Sequence, residues 1–172
     1  MEAQKGDQDA FCALISQYEN KIYSIAYKFM QNSHDAQDAA QDAMIKMYGS
    51  IGKFSFQSAF STWMYRVVAN TCLDALRRRR QGAPPSGKEE VSISREGNPD
   101  EEAINRELGR NIRLAVQELS EKYRMVLVLK DMEGLKYEEV AGILGITQGT
   151  VKSRLFRARE KLRKLLVEKQ VL

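Results

Sequence analysis

The chain has 172 residues, 43% of them hydrophobic, enough for one large or two small domains with packed cores. Lys and Arg total 27 against 23 Asp and Glu, a formal net charge of +4, with the basic residues gathered near 77–80 and 152–164; such clustering suits discrete phosphate contacts in an intracellular, DNA-associated protein. The opening MEAQKGDQDAF has no apolar signal-peptide core and no apolar run approaches membrane-spanning length, so neither secretion nor membrane insertion is expected.

In chain order, Cys12 and Cys72 come first as isolated thiols on apolar helical segments, expected to be small buried residues and not a disulfide or metal pair. The stretch SHDAQDAAQDAM follows. Ser33 suits a helix N-cap and Asp35 its first turn. Asp35, Asp38 and Asp42 then form one acidic stripe at i, i+3, i+7, with Gln41 beside it and Ala36, Ala40, Ala43 and Met47 on the buried side. One helix face supplies too few oxygens for a hard cation, and no second acidic cluster accompanies it, so no metal or cofactor is expected. A solvated face and a docking surface for a basic partner both fit the stripe.

Residues 54–80, FSFQSAFSTWMYRVVANTCLDALRRRR, crowd aromatics at their start and arginines at their end. On a helix from about Ala59, the side chains of Trp63, Arg66, Asn70 and Arg77 share one side, with Phe60, Met64 and Val67 on the adjacent apolar side. Aromatics stack on unpaired bases, arginines hold phosphates, and asparagine reads a base edge, a set suited to single-stranded nucleic acid. The ordinary alternative is a core Trp63 and a solvated arginine-rich helix end.

Residues 81–100 hold all 3 prolines and no helical periodicity, and read as a flexible linker between helical units at 1–80 and 101–172. Val126 to Leu129 is a short apolar run inside a longer helical pattern from Arg113 onward, and neither half carries a useful strand pattern. The fold class expected is therefore all-α, two small helical domains joined by a flexible linker.

The C-terminal half contains GLKYEEVAGILGITQGTVKSRLFRAREKLRK, residues 134–164. Tyr137, Val140, Ala141 and Leu144 have helical spacing, Gly145 breaks the helix, and Thr147 caps the next. The second helix keeps Val151, Leu155, Ala158 and Leu162 on one stripe, and its remainder is strongly basic. Two short helices around a tight turn, the second cationic, define a helix-turn-helix suited to the DNA major groove. Phe156 falls on the outer face with Ser153 and Arg157, where it can meet a thymine methyl; the alternative is packing against another part of the protein.

The order GDQDAF, DAQDAAQDAMIKMY, FSTWMYRVVANTCLDALRRRR, a linker, and GLKYEEVAGILGITQGTVKSRLFRAREKLR resembles the bacterial extracytoplasmic-function sigma factors, the smallest type of the sigma-70 family, over nearly the whole chain. The resemblance implies a cytoplasmic, non-enzymatic partner of core RNA polymerase, held at the β′ clamp helices and the β flap. It implies recognition of a two-part promoter, duplex and single-stranded, and control by an anti-sigma factor, with nucleoid association when bound to polymerase. Carried over position by position, it makes Asp35, Asp38, Gln41 and Asp42 the polymerase-docking candidates. Phe54, Phe56, Gln57, Ser58 and Asn70 become candidates for a pocket that takes a flipped −10 base, and Trp63, Tyr65 and Arg66 for strand opening. At the −35 element, Lys152, Ser153, Phe156 and Arg157 are base or groove candidates, and Lys130 and Arg159 phosphate candidates.

Some positions depart from the family pattern. Lys136 stands where a Ser cap is frequent, and Gln148-Gly149 replaces a Pro-Val-Gly-like entry. Few residues precede GDQDAF, which leaves a late natural start and a trimmed chain both open. A two-domain helix-turn-helix regulator independent of core polymerase would explain the C-terminal motif without needing FSTWMYR. An adaptor docking a basic partner through Asp35–Asp42 would show no promoter specificity. His34, the chain's 1 histidine, has no catalytic constellation around it.

Overall fold

A computed structural model of the chain describes residues 2–80, 99–169 and 171, with side chains described for 2–79, 107–169 and 171. Among these, every regular element is a helix or helical turn. The chain divides into two compact units, Met1–Glu89 and Glu90–Leu172.

In the first unit, α1 (Gln8–Ser16), α2 (Glu19–Met30), α3 (Ser33–Ser50) and α4 (Phe60–Arg80) form the frame, with α2, α3 and α4 packed against one another. Their shared core is Ile22, Ile25, Ala26 and Phe29 of α2, the alanines and Met47 of α3, and Met64, Val68, Ala69 and Cys72 of α4. Ala36, Ala39, Ala40 and Ala43 are all buried; small side chains on one helix face let neighbouring helices approach closely. The cap of α3 is Asn32, whose side chain accepts from Asp35 N at 2.9 Å, and Ser33 is already helical. That bond is worth about 1 kcal/mol.

Two further expectations are corrected here. Cys12 is exposed, because α1 buries Phe11 and Ile15 and Cys12 lies about a quarter-turn from that line. Cys72 is buried, and desolvation pushes its thiol up to about 12, against a small opposing pull from Lys46. On α4 the buried stripe is Met64, Tyr65, Val68, Ala69, Cys72 and Leu76; Phe60 and Val67 are only half-buried. Two partner helices, α2 and α3, need a broader apolar face than one line of contacts gives.

A 3₁₀ turn, Glu2–Lys5, packs on another, Ile51–Lys53, through Gln4, whose amide donates to the carbonyls of Phe54 (2.6 Å) and Ile51 (3.4 Å). That contact anchors the start of the loop that leads into α4.

In the second unit, α5 (Pro99–Glu118), α6 (Glu121–Leu127) and α7 (Tyr137–Leu144) surround α8 (Gln148–Glu168), and a π-helical turn, Val128–Met132, follows α6 directly. Of the expected linker, residues 81–98 lie outside the described residues. Pro99 and Asp100 instead open α5, with proline at the first helical position, where its missing N–H is not needed. The helix expected to run on from Arg113 is interrupted at Leu119-Ser120. Arg124, 8% exposed, reaches back and donates to the carbonyls of Gln117 (3.1 Å) and Leu119 (3.2 Å), satisfying acceptors that the end of α5 leaves open. Val126 to Leu129 are all buried, which explains an unbroken apolar run. The π-helical turn closes with Glu133 N donating to the Val128 carbonyl at 2.9 Å.

The helix-turn-helix forms as its sequence suggests. Gly145 takes a left-handed φ of 63°, and the Thr147 hydroxyl accepts from Thr150 N at 3.2 Å to start α8. Lys136 has no acceptor to offer as a cap; the Glu139 carboxylate instead accepts from Lys136 N at 2.8 Å. Val151, Leu155 and Ala158 are buried as expected, while on α7 Ile143 takes the buried place expected for Leu144.

Candidate nucleic-acid interfaces

In the first unit, the loop over 54–59 carries the chemistry. Phe54 is buried and forms a hub: its ring centroid lies 4.8 Å from Phe56, 5.5 Å from Trp63 and 5.9 Å from Phe60. Phe60 in turn meets Trp63 at 5.5 Å and Tyr18 at 5.1 Å. Phe56 sits on this hub with 60% of its surface exposed and a left-handed φ of 57°. A non-glycine residue in that conformation is strained, and an exposed ring gains little from burial, so packing alone does not explain it. Gln57 and Ser58 are exposed beside it.

The structure brings together most of the residues expected here. Trp63 is half-buried with its ring in the cluster, and Arg66 and Asn70 are exposed one and two turns further along the same side of α4. Two depart. Phe54 supports the loop from below and does not line an open surface. Tyr65 is 7% exposed in the α4 core stripe, with the Lys21 ammonium 5.9 Å from its ring centre. Sequence reasoning missed Gln4, Tyr18 and Phe60 as supports; the aromatic density of FSFQSAF was the available signal for Phe60, and nothing marked the other two.

The acidic stripe is divided. Asp35 pairs with Arg79 at 2.8 Å, both side chains about one-quarter exposed at 25% and 28%, tying the start of α3 to the end of α4. Asp38 and Asp42 remain exposed, Asp38 with His34 Nδ1 at 3.3 Å. Asp42 borders a groove of about 540 Å³ with Ile45, Lys46, Asp74, Arg77 and Arg78. Gln41 turns to a different groove between α2 and α3, beside Glu19, Asn20 and Tyr23. Ile45 is 65% exposed on this surface and was not anticipated, although it is the apolar break in an otherwise polar face. Among the described residues no group of acidic, histidine or cysteine side chains could hold a metal ion.

In the second unit, Lys152, Ser153, Phe156 and Arg157 are all exposed on one face of α8, Phe156 at 69%. The nearby Arg157 guanidinium draws the Tyr123 phenol below its ordinary range; burial opposes, and the charges of Lys122, Arg157 and Lys161 add to the lowering. The Tyr137 ring is approached by two cations, Lys130 at 4.9 Å and Lys152 at 5.6 Å, and Lys130 also donates to the Leu135 carbonyl at 2.9 Å. Arg159 makes a bidentate pair with Asp131 at 2.6 and 2.8 Å, whose hydrogen bonds raise the Arg159 pKa. Both residues expected to meet phosphates are thus engaged within the domain; of those expected to meet bases, Lys152 shares the Tyr137 ring and the Ser153 hydroxyl donates to the Thr150 carbonyl at 3.1 Å, while Phe156 and Arg157 are exposed. An apolar groove of about 270 Å³, floored by Ile112, Val116, Leu127, Met132, Leu162 and Leu166, lies beside the Asp131–Arg159 pair.

Among the described residues, all regular structure is helical, with an exposed aromatic loop on one unit and a basic helix-turn-helix on the other, a combination that suits a DNA-binding protein. The pattern described as Sigma-70 region 2 matches residues 14–82, and that described as Sigma-70, region 4, matches 109–162. The chain is 38% identical to the ECF RNA polymerase sigma factor SigW of Bacillus subtilis, over 96% of this chain and 93% of that protein. It is 34% identical to the ECF RNA polymerase sigma-E factor of Escherichia coli K12, over 92% and 87%. Among solved structures, CnrH in complex with the cytosolic domain of CnrY superposes with a TM-score of 0.68 at 26% identity, over 97% of this chain and 94% of that one. The sigma factor RpoE bound to the anti-sigma factor NepR, from Bartonella quintana, shares the fold with a TM-score of 0.74 at 23% identity, over 91% and 96%. The chain belongs to the extracytoplasmic-function sigma factors of the sigma-70 family, and acts as an alternative sigma factor with RNA polymerase at promoters. Sigma factors are initiation factors, not enzymes. No helix among the described residues is long and apolar enough to cross a membrane.

Proposed function

We propose that the two units divide the promoter between them, the first, through α4, docking on polymerase and opening the −10 element, and the second, from α5 onward, reading the −35 element. The observation that carries this reading is Phe56, an exposed ring held at a strained left-handed φ above a packed aromatic hub. Strain of this kind persists where the surroundings over-determine it, and an outward ring is ready to stack on an unpaired base. Gln57, Ser58 and Asn70 offer hydrogen-bonding groups around it, and Arg66 a cation for the backbone. Phe54 and Tyr65 act indirectly, as support for the loop and for α4.

On α8, Lys152, Ser153, Phe156 and Arg157 meet base edges, Phe156 against a thymine methyl and Arg157 as a bidentate donor. Lys130 and Arg159 reach phosphates only by sharing or exchanging their present partners. Asp38 and Asp42, with exposed Ile45 about one turn beyond Asp42, dock on the β′ clamp helices; Asp35 contributes by fixing α3 to α4, and Gln41 borders the neighbouring groove. The apolar groove beside Asp131 suits the β flap. The protein performs no chemistry of its own, works in the cytoplasm and joins the nucleoid when bound to polymerase. An anti-sigma factor restrains it, in keeping with the RpoE relative solved with NepR.

Run-off transcription with core polymerase and a promoter library tests the whole reading. The expected result is a two-part consensus whose −10 position depends on Phe56 and Asn70 and whose −35 preference depends on Arg157. Sequence-specific binding that neither needs core polymerase nor leads to transcripts would overturn it.

A further inference from the structure

A loop that grips a flipped base does so best when its shape exists before the base arrives, because ordering it on binding lowers affinity. The 54–59 loop is held at its first residue by a side chain 50 residues earlier. Gln4, half-buried in the 3₁₀ turn Glu2–Lys5, donates its amide to the Phe54 carbonyl at 2.6 Å and to the Ile51 carbonyl at 3.4 Å. A primary amide has two N–H groups, enough for both. The Ile51 carbonyl also accepts from Phe54 N at 3.1 Å, so the backbone is tied on both sides of Phe54. The turn that carries Gln4 is itself fixed. Ala3 is 3% exposed, Gly6 follows at a left-handed φ of 90°, and Asp7 then caps α1 by accepting from Ala10 N at 3.0 Å. Holding the Phe54 carbonyl holds the plane of the peptide that leads to Ser55. One residue further stands Phe56 at its φ of 57°, with its ring 4.8 Å from that of Phe54.

We infer that Gln4 is a positioning residue for −10 reading: its amide holds the Phe54 peptide, and with it the backbone that presents Phe56, Gln57 and Ser58. The inference rests on the reading of the 54–59 loop as the −10 pocket. It assigns part of the −10 preference to a side chain outside both the loop and α4, which acts through the loop backbone and needs no contact with DNA.

The test uses full-length protein with core polymerase, carrying Gln4→Met, Phe56→Ala or both, on promoters bearing each base at each −10 position. Methionine keeps an unbranched side chain of similar length but cannot donate, and thermal melting of each variant sets a temperature at which all are folded. The expected result for Gln4→Met is a roughly twofold to tenfold fall in base discrimination, read as open-complex yield, at the position that Phe56→Ala also relaxes, the scale of one hydrogen bond. Capture by core polymerase and binding to the −35 duplex should not change. A pre-melted template should raise the yield of Gln4→Met without restoring its preference. The double variant should discriminate no worse than Phe56→Ala alone. A merely structural Gln4 would lower yield on every promoter by one factor and leave preference intact. That result, fully unaltered opening in Gln4→Met, or losses of preference that add in the double variant would overturn the positioning role while leaving the loop as the −10 pocket. Wild-type preference in Phe56→Ala overturns the reading of the loop and the inference with it.

Discussion

Replacing Phe56 by alanine and by glycine separates the strain in the −10 loop from the work of its ring. Both changes delete the Phe54–Phe56 ring pair, at a centroid distance of 4.8 Å, worth about 1 kcal/mol. Little burial is lost with it, since Phe56 is 60% exposed. Alanine leaves a β-carbon at a φ of 57°. Left-handed backbone costs an L residue roughly 1–2 kcal/mol, and the greater freedom of glycine in the unfolded chain returns about 0.5–1 kcal/mol of that advantage. Phe56→Gly should therefore be more stable than Phe56→Ala by about 0.5–1 kcal/mol. Urea unfolding followed by the fluorescence of Trp63, the chain's 1 tryptophan, reports this unit alone, with equal m-values required for the comparison. Function should not follow stability. A base stacked on an aromatic is worth about 1–3 kcal/mol, so both variants should lose open-complex yield by roughly fivefold to 150-fold, and by the same factor. Permanganate reactivity of unpaired thymines measures that yield. Equal stability of the two variants would refute the strain argument, and wild-type opening in either would refute the stacking role.

Three further outcomes are expected. Alkylation should modify Cys12 rapidly and Cys72 only on unfolding, because burial holds the Cys72 thiol protonated up to about pH 12; two equally fast thiols by mass spectrometry would contradict this. Asp38→Lys with Asp42→Lys should weaken capture by core polymerase and leave helical content unchanged, since neither carboxylate supports the fold as Asp35 does; unchanged capture returns them to a solvated face. Asn70→Ala should leave polymerase and −35 binding intact but relax preference at one −10 position, which a pre-melted template restores in rate and not in preference; wild-type preference at every position removes Asn70 from the pocket.

The two-unit helical fold and the helix-turn-helix were legible because each rests on local rules: helical spacing of apolar residues, a left-handed glycine at 145 and a threonine cap at 147. Exposure of Phe156 and Arg157 followed from the same wheel. What escaped depends on partners distant in sequence. Tyr65 looks like an exposed member of an aromatic motif until α2 and α3 both claim α4, and Asp35 looks like part of a free stripe until Arg79 arrives 44 residues later. Cap choice between Asn32 and Ser33 turns on one residue of helix start, which composition alone leaves ambiguous. The break at Ser120 was hidden because the pattern on both sides is helical; its signature is Arg124, an arginine that packing buries to cap α5. Phe56 was legible as a candidate, but its left-handed φ was not, since no glycine or asparagine marks it.

The pair between Arg159 and Asp131 leads to a last prediction, because the same arginine serves either as a strut or as a phosphate contact. The two oxygens of Asp131 take both Arg159 bonds at 2.6 and 2.8 Å, yet the side chains are 29% and 55% exposed, so water screens the pair. Its worth to folding is under about 1 kcal/mol. A phosphate competes with one carboxylate for one guanidinium, and removing the carboxylate charge decides the competition. Asp131→Asn should therefore strengthen binding to any duplex a few-fold and steepen the salt slope by about one unit, with base preferences unchanged. Loss of a negative charge near DNA would also raise affinity without Arg159, so the informative comparison is the double variant Asp131→Asn with Arg159→Ala. If the gain runs through Arg159, the double variant binds no more tightly than Arg159→Ala alone. A gain that survives in the double variant, or a lower melting temperature with no change in salt slope, would make Arg159 a strut between the π-helical turn and α8 and remove it from the DNA contacts.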